Sequence, residues 1–328
     1  ISPVLRVCRT GPPCSSRAMT TCKGFLGEPK FWELEGDAPI LKFNENQWLQ
    51  KHTDEAIAHS KAWLISLGIT ESRMEIDTTP IKETQQNRIF RADANRTFRD
   101  EAHKLVYIKL LSFAAKKFGD YQQSLGYVAG LLMLFFDAPT TFKVLTVLND
   151  NPRYLSGYWR GEATLCAVDG YVAMKLYPRT ALMDHLKSIG LLPETFVQKW
   201  FAGVCIHHLR YEQLMPFLDH FFQHGNAFLF AFFTAFFNEF HDDVKAMTST
   251  TQANELVRFD KAPVPRLEVI IHNAAQMAGP MLTGVDLQGL RVECFETFLT
   301  RRMQSANEGM WQKADDEIEF SDEDEDDE

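Results

Sequence analysis

The stretch IFRADANRTF, residues 89–98, sets Asp93 three residues before an Arg96-Thr97 pair, between Phe90 and Phe98. A surface helix start needs only a cap, and Asp93 or Asn95 alone would supply one. The arginine is therefore either a solvated charge or a catalytic finger held by its neighbours. Which of the two applies depends on the elements around it.

Other chemistries find no motif here. No G-x-x-x-x-G-K-[ST] occurs, so the chain is not itself a P-loop nucleotide hydrolase, and G-x-S-x-G and H-E-x-x-H are absent too. His220 and His224 stand at i, i+4 in LDHFFQHG, with Asp219 adjacent and His207-His208 a helix away. Two histidines so spaced can share a metal. Phe221 and Phe222 mark a packed helix, however, and no third ligand is specified, so helix-surface histidines and no metal are the expectation.

Hydrophobic residues fill 45% of 328 positions, enough for a sizeable core and too many for wholesale disorder. The formal net charge of −10 is concentrated at one end. The last fourteen residues, DDEIEFSDEDEDDE, hold eleven acids and no base, leaving 33 acids and 34 bases elsewhere. A nearly neutral body implies neither a nucleic-acid-binding face nor an acidic protein surface. Cysteines at 8, 14, 22, 166, 205 and 294 form no C-x-x-C pair, which fits reduced, buried thiols in the cytosol. The apolar runs 126–136 and 227–237 fall short of the roughly 20 residues of a membrane span and read as core helices.

Strand signals are nearly absent and helical periodicity recurs, which predicts an all-α fold of antiparallel packed helices. Helices are expected over 46–67, 97–118, from about Gln122, and over 140–149, 161–177, 180–188, 193–207, 210–224 and 226–242. Ala102, Val106, Leu110 and Phe113 form the predicted buried face of the second of these. Residues 70–88, broken by Pro80, read as a linker, and 244–265 as a polar break before helical blocks at 266–279 and 286–308. The resulting plan is a poorly ordered tail at 1–45, a helical domain at 46–245, a helical extension at 266–310 packed on it, and a disordered acidic tail at 312–328. Residues 1–27 carry Arg6, Arg9 and Arg17 and no acid. A mitochondrial presequence has that composition, but Gly11-Pro12-Pro13 breaks the amphipathic helix it needs. Upstream translated sequence or a tail is the preferred reading, with Met19 as a natural start.

Asp93-x-x-Arg96-Thr97 is followed one helix later by DYQQSLGYVAGLLML, residues 120–134. Together they resemble the two signature motifs of the TBC domain, the helical domain of Rab GTPase-activating proteins. Phe90, Asp93 and Arg96 fill its I-x-x-D-x-x-R motif, and Tyr121-Gln122-Gln123 fill three places of Y-x-Q-G. A second register over Gly126-Tyr127-Val128-Ala129-Gly130 would lose the glutamine. Only the first brings Leu125–Leu134, Asp137-Ala138 and Phe142 into step with the family. Residues 179–204, with Trp200-Phe201, and 214–225, with Asp219 and Gly225, are similar to later family segments, so the likeness spans about 55–245.

The resemblance implies a fold and a reaction. GTP hydrolysis needs its attacking water oriented and the charge on the transferring phosphoryl group neutralised, and an arginine supplied in trans does the second. The family implies that a glutamine from this domain does the first, so Arg96 and Gln123 are the implied catalytic pair. Asp93, Thr97 and Tyr121 would support them. The implied partner is a Rab-type small GTPase, which brings GTP and Mg²⁺; no cofactor of its own is expected. The implied setting is vesicle trafficking from the cytoplasm, with endomembranes reached only through the lipid-anchored partner. A non-catalytic TBC-like scaffold that binds a GTPase or another protein is the alternative.

Three departures bear on that choice. His59 stands where the family's R-x-x-x-W element has its arginine, while Trp63 and Leu67-Gly68 remain. Ser124 replaces the glycine after Gln123, where glycine permits unusual dihedrals or close backbone approach. Leu218 replaces a tryptophan before Asp219. The acidic tail reads first as a solvated terminus, then as a kinase target at Ser321, then as a strand of charge folding over the Arg96 face.

Overall fold

The computed structural model describes residues 23–38, 46–69, 85–160, 164–259 and 264–300, and every regular element among them is helical. In chain order these are α1 (Phe31–Glu35), α2 (Asn46–Lys51), α3 (Thr53–Ser66), α4 (Gln85–Thr97), α5 (Glu101–Phe118), α6 (Gln123–Phe135) and α7 (Ala138–Asp150). Then come α8 (Thr164–Leu176), α9 (Thr180–Ser188), α10 (Tyr211–His224), α11 (Asn226–Glu239), α12 (His241–Ala246), α13 (Thr250–Val257), α14 (Val264–Ala278) and α15 (Leu287–Cys294). The expected tails at 1–22 and 312–328, with Ser321, lie outside the described residues, as do most of the 70–88 linker and the end of the 286–308 block.

Helix α11 is the centre of the core. Its sequence NAFLFAFFTAFFNE is apolar on nearly every side, so the helix must be covered all round. α10 and α14 pack on it, and Trp200 plugs the space beside it. The Trp200 ring lies 4.8 Å from Phe236 and 5.2 Å from Phe259, and its Nε1–H donates to the Val257 carbonyl at 2.9 Å. Beyond the central helix, α15 is tied to α8 by an ion pair on the wholly buried Asp169 and by an exposed one between Lys175 and Glu293. Arg291 donates from Nε and Nη2 to the Asp169 carboxylate at 2.8 and 2.7 Å, and the Tyr158 hydroxyl adds a third bond at 2.6 Å.

The structure corrects several of the sequence expectations. The 46–67 helix is interrupted at His52, and α13 occupies part of the expected polar break. Residues 193–207 are not one helix but a 3₁₀ turn at Pro193–Thr195, a π turn at Gln198–Ala202 and further turns. Val204 and Cys205 take φ of 41° and 56°, left-handed values that no helix continues through. On α5 the buried stripe is His103, Tyr107, Leu110, Leu111, Ala114 and Phe118, while Ala102 and Val106 face outward. An apolar-only reading misplaced that face because its first two members are polar aromatics.

The largest correction concerns residues 23–38, expected to belong to a poorly ordered tail. Phe25, Leu26, Phe31 and Glu35 are buried here, with the Phe25 ring edge-on to Phe98 at 5.3 Å. Glu35 is wholly buried, and His103 lies between it and Glu28. His103 Nδ1 is 2.7 Å from Glu35 Oε1, and its Nε2 is 3.0 Å from Glu28 Oε2. Burial by itself would lower the His103 pKa, but the hydrogen bonds and charges of Glu35 and Glu28 outweigh it and raise the value above the ordinary 6.5.

A folded-state pKa above the unfolded one means that the fold binds this proton more tightly. The stabilisation is fully present below the unfolded value of 6.5 and is lost as pH rises through the raised folded value. Denaturant unfolding at a series of pH values will therefore show wild type losing more stability above neutral pH than His103→Gln. Parallel profiles for the two proteins would remove this linkage.

Candidate functional site

The Asp93–Thr97 motif forms the last turn of α4, not the start of a helix. The start belongs to α5, where Asp100 accepts from the Ala102 and His103 amides. That leaves Asp93 free for another use. Its side chain is 6% exposed and accepts a hydrogen bond at Oδ1 from the Arg96 guanidinium, whose own side chain is 63% exposed. Three residues of helix place the two on one face, and the end of α4 favours a cation there. The Thr97 hydroxyl closes the turn by donating to the Asp93 carbonyl at 2.8 Å.

The glutamine motif comes to the same carboxylate from α6. The Tyr121 hydroxyl donates to Asp93 Oδ2 at 2.5 Å, and Gln123 Nε2 stands 3.5 Å from Asp93 Oδ1. Phe90 presses edge-on against the Tyr121 ring at 4.8 Å, so the first position of the motif buttresses the second motif. Burial, with Tyr107 and Asp93 beside it, pushes the Tyr121 pKa far above the ordinary value of 10.0. The hydroxyl thus stays protonated, and a donor, near neutrality. Gln122, the other glutamine, accepts from Gln198 at 3.4 Å on the π turn. Asp93, Arg96, Thr97 and Gln123, with Tyr107, Tyr127 and His207, line a cavity of about 130 Å³.

All five residues expected at the site are thus brought together: Asp93, Arg96, Thr97, Tyr121 and Gln123. The register through Tyr121 and Gln123 is the one that reaches Asp93, while Tyr127 lines the cavity one turn further on. Tyr107, Gly126, Tyr127 and His207 were not foreseen. Tyr107 donates to the Gly126 carbonyl at 2.8 Å, and the His207 ring stands edge-on to Tyr127 at 3.9 Å. Gly126 carried a readable signal, since a glycine inside an apolar helix points to close approach of something else. A Cβ there would lie 2.6 Å from the Tyr121 hydroxyl and 2.9 Å from that of Tyr107.

The departures now have structural outcomes. His59 Nδ1 pairs with Asp219 Oδ2 at 2.6 Å, and Trp63 Nε1–H donates to Asp219 Oδ1 at 2.6 Å. Histidine thus ties α3 to α10 where the family pattern has arginine. The rings of His220 and His224, on the same helix, sit 6.4 Å apart. Burial lowers the pKa of both histidines, and no group of three metal-ligating side chains forms among the described residues. Ser124 is buried in the first turn of α6, and its φ is not positive, so the serine needs no left-handed backbone. Its hydroxyl finds no hydrogen-bond partner. Leu218 is buried as a packing residue.

Gly126→Ala will push at least one tyrosine hydroxyl off its acceptor. Overpacking of this kind costs about 1–3 kcal/mol, to be read from the urea unfolding midpoint. An unchanged midpoint would mean that the two tyrosines reseat freely.

A family model described as Rab-GTPase-TBC domain matches residues 59–245, more than half of the chain. No curated protein matches it. Among solved structures, the TBC domain of Skywalker/TBC1D24 from Drosophila melanogaster is similar, at 16% identity and a TM-score of 0.51, covering 78% of this chain and 94% of that one. The Chlamydomonas flagellar RabGAP TBC domain is 18% identical with a TM-score of 0.47, over 70% of this chain and 75% of that one. With its helical order and its two motifs joined at Asp93, the chain belongs to the Rab-GTPase-TBC domain family.

Proposed function

We propose that this protein accelerates GTP hydrolysis by a Rab-type small GTPase, supplying Arg96 and Gln123 in trans. The observation that supports this is one nearly buried carboxylate, Asp93, gathering the Arg96 guanidinium, the Tyr121 hydroxyl and the Gln123 amide at a shared cavity. The phosphoryl transition state is loose and spreads its charge over the equatorial oxygens, so catalysis is positioning and charge stabilisation. Arg96, held through one terminal guanidinium nitrogen while most of its side chain stays exposed, is the group to meet that charge. Gln123, with its nitrogen turned to Asp93, keeps its carbonyl oxygen to accept from the attacking water. GTP and Mg²⁺ arrive with the GTPase, so this chain contributes no nucleotide site.

The same reading puts the protein in vesicle trafficking, acting from the cytoplasm on endomembranes. No described helix is long and apolar enough to cross a membrane, and the lipid-anchored partner would supply the contact. One observation favours a second reading. The unpartnered Ser124 hydroxyl is buried directly after Gln123. A serine that holds the glutamine back from the nucleotide would leave a scaffold that binds a GTPase without turning it over.

Single-turnover hydrolysis by a panel of purified Rab proteins separates the two. Acceleration of one member is expected, lowered by about 10³-fold or more in Arg96→Ala and also lost in Gln123→Ala. Loss in Arg96→Ala alone would return water positioning to the GTPase's own glutamine. Tight binding with no acceleration of any member would establish the scaffold.

A further inference from the structure

The stretch 59–245 that matches the family begins well after Glu35, yet Glu35 touches the mount of Arg96. Helix α4 stops at Thr97, and the chain turns before α5 begins at Glu101. In that turn the amides of Arg99 and Asp100 have left one helix without joining the next. Both donate to the buried Glu35 carboxylate, Arg99 to Oε2 at 2.7 Å and Asp100 to Oε1 at 2.9 Å. His103 supplies the third bond, to Oε1 at 2.7 Å. A wholly buried carboxylate needs such donors, and this one finds two of the three on the backbone directly after the finger helix.

The same N-terminal segment also reaches the helix that starts with Gln123. Gly24 crosses the far end of α6 so closely that a Cβ would lie 2.4 Å from the Phe135 carbonyl carbon and 2.5 Å from the Leu134 carbonyl oxygen. Between Gly24 and Glu35, Phe25 packs on Phe98 and on the His103 ring, the latter at 4.3 Å. The segment is therefore a strap joining the turn directly after the Arg96 helix to the far end of the helix that starts with Gln123.

We propose that the strap, and Glu35 above all, sets the position of the finger, so that the GTPase-activating unit of this protein begins near Gly24. Glu35 touches no substrate and acts through the α4–α5 turn as a positioning residue. This rests on the proposed function of Arg96. Two oxygens are required: in Glu35→Gln one becomes an amide nitrogen, a donor facing a donor, and either the Arg99 amide or the Asp100–His103 side loses its acceptor.

The test uses the full chain and the Rab protein that wild type accelerates. Wild type against Arg96→Ala first tests the finger itself. In Glu35→Gln the single-turnover rate at saturating protein falls on the order of tenfold to a hundredfold, as small misplacements of a catalytic group do. The half-saturating concentration stays that of wild type, and hydrogen exchange at Arg99 and Asp100 quickens. Glu35→Asp keeps the charge beside His103 but withdraws the carboxylate by one methylene, and it serves if the glutamine variant does not fold. An intermediate rate loss is expected from it. Saturating rates equal to wild type in either folded variant, or a loss matched by the unfolded fraction, would overturn the proposal while leaving the finger intact. Unaltered exchange at both amides would overturn it as well. A wild type that accelerates no GTPase would overturn both readings together.

Discussion

A carboxylate taken out of water must be met by donors, and at Asp93 those donors come from two different helices. Arg96 comes from its own turn of α4, while Gln123 starts α6 and Tyr121 lies just before it. The relative placement of α4 and α6 is thereby coupled to the electrostatic needs of one side chain. Gly126 and Gly130 let the helices close to that distance, since a Cβ on the latter would already stand 3.0 Å from the Thr97 methyl. Tyr107 then pins α5 to the same face of α6 through the Gly126 carbonyl. Small residues, buried hydroxyls and one acid thus act as a single unit.

The same device recurs where segments flanking the central helices join them. Glu35 binds the N-terminal strap, Asp219 links α3 to α10 through His59 and Trp63, and Asp169 holds α15 through Arg291 and Tyr158. Each acid is satisfied by partners distant in sequence. Where the acid is wholly buried, as at Glu35 and Asp169, removing a partner leaves an uncompensated charge, costing roughly 3–5 kcal/mol, whereas water screens the partly exposed Asp219. Burial of apolar surface favours many similar packings of helices. Directed bonds to a carboxylate favour one, because every donor must arrive at once.

What was legible in the sequence divides along the same line. The all-helical class followed from periodicity, and the coarse order of helices from Gly, Pro and Asn punctuation. The pairing of Asp93 with Arg96 followed from spacing, and the convergence of Tyr121 and Gln123 on them from the ordered resemblance. Three things were not readable. The buried face of α5 includes His103 and Tyr107, polar residues that a hydrophobicity pattern assigns to solvent. The strap is too short to show a period, and its central residue is a glutamate whose partners lie more than sixty positions away. The turns after Trp200 depend on left-handed Val204 and Cys205, which nothing local favours and only surrounding packing enforces.

Arginine at position 96 is itself a consequence of this arrangement. Asp93 engages one terminal nitrogen of the guanidinium, and a guanidinium carries five N–H donors in a rigid plane. One arm of the fork can therefore be held while the remaining donors face outward. A lysine would place a single compact charge against Asp93, and each bond it made there would leave one fewer of its three donors facing outward. Its ammonium also lacks the rigid plane that fixes the direction of the remaining donors. With Thr97 closing the turn beneath it and Glu35 holding the backbone just beyond, the planar side chain is the one that can be both tethered and available.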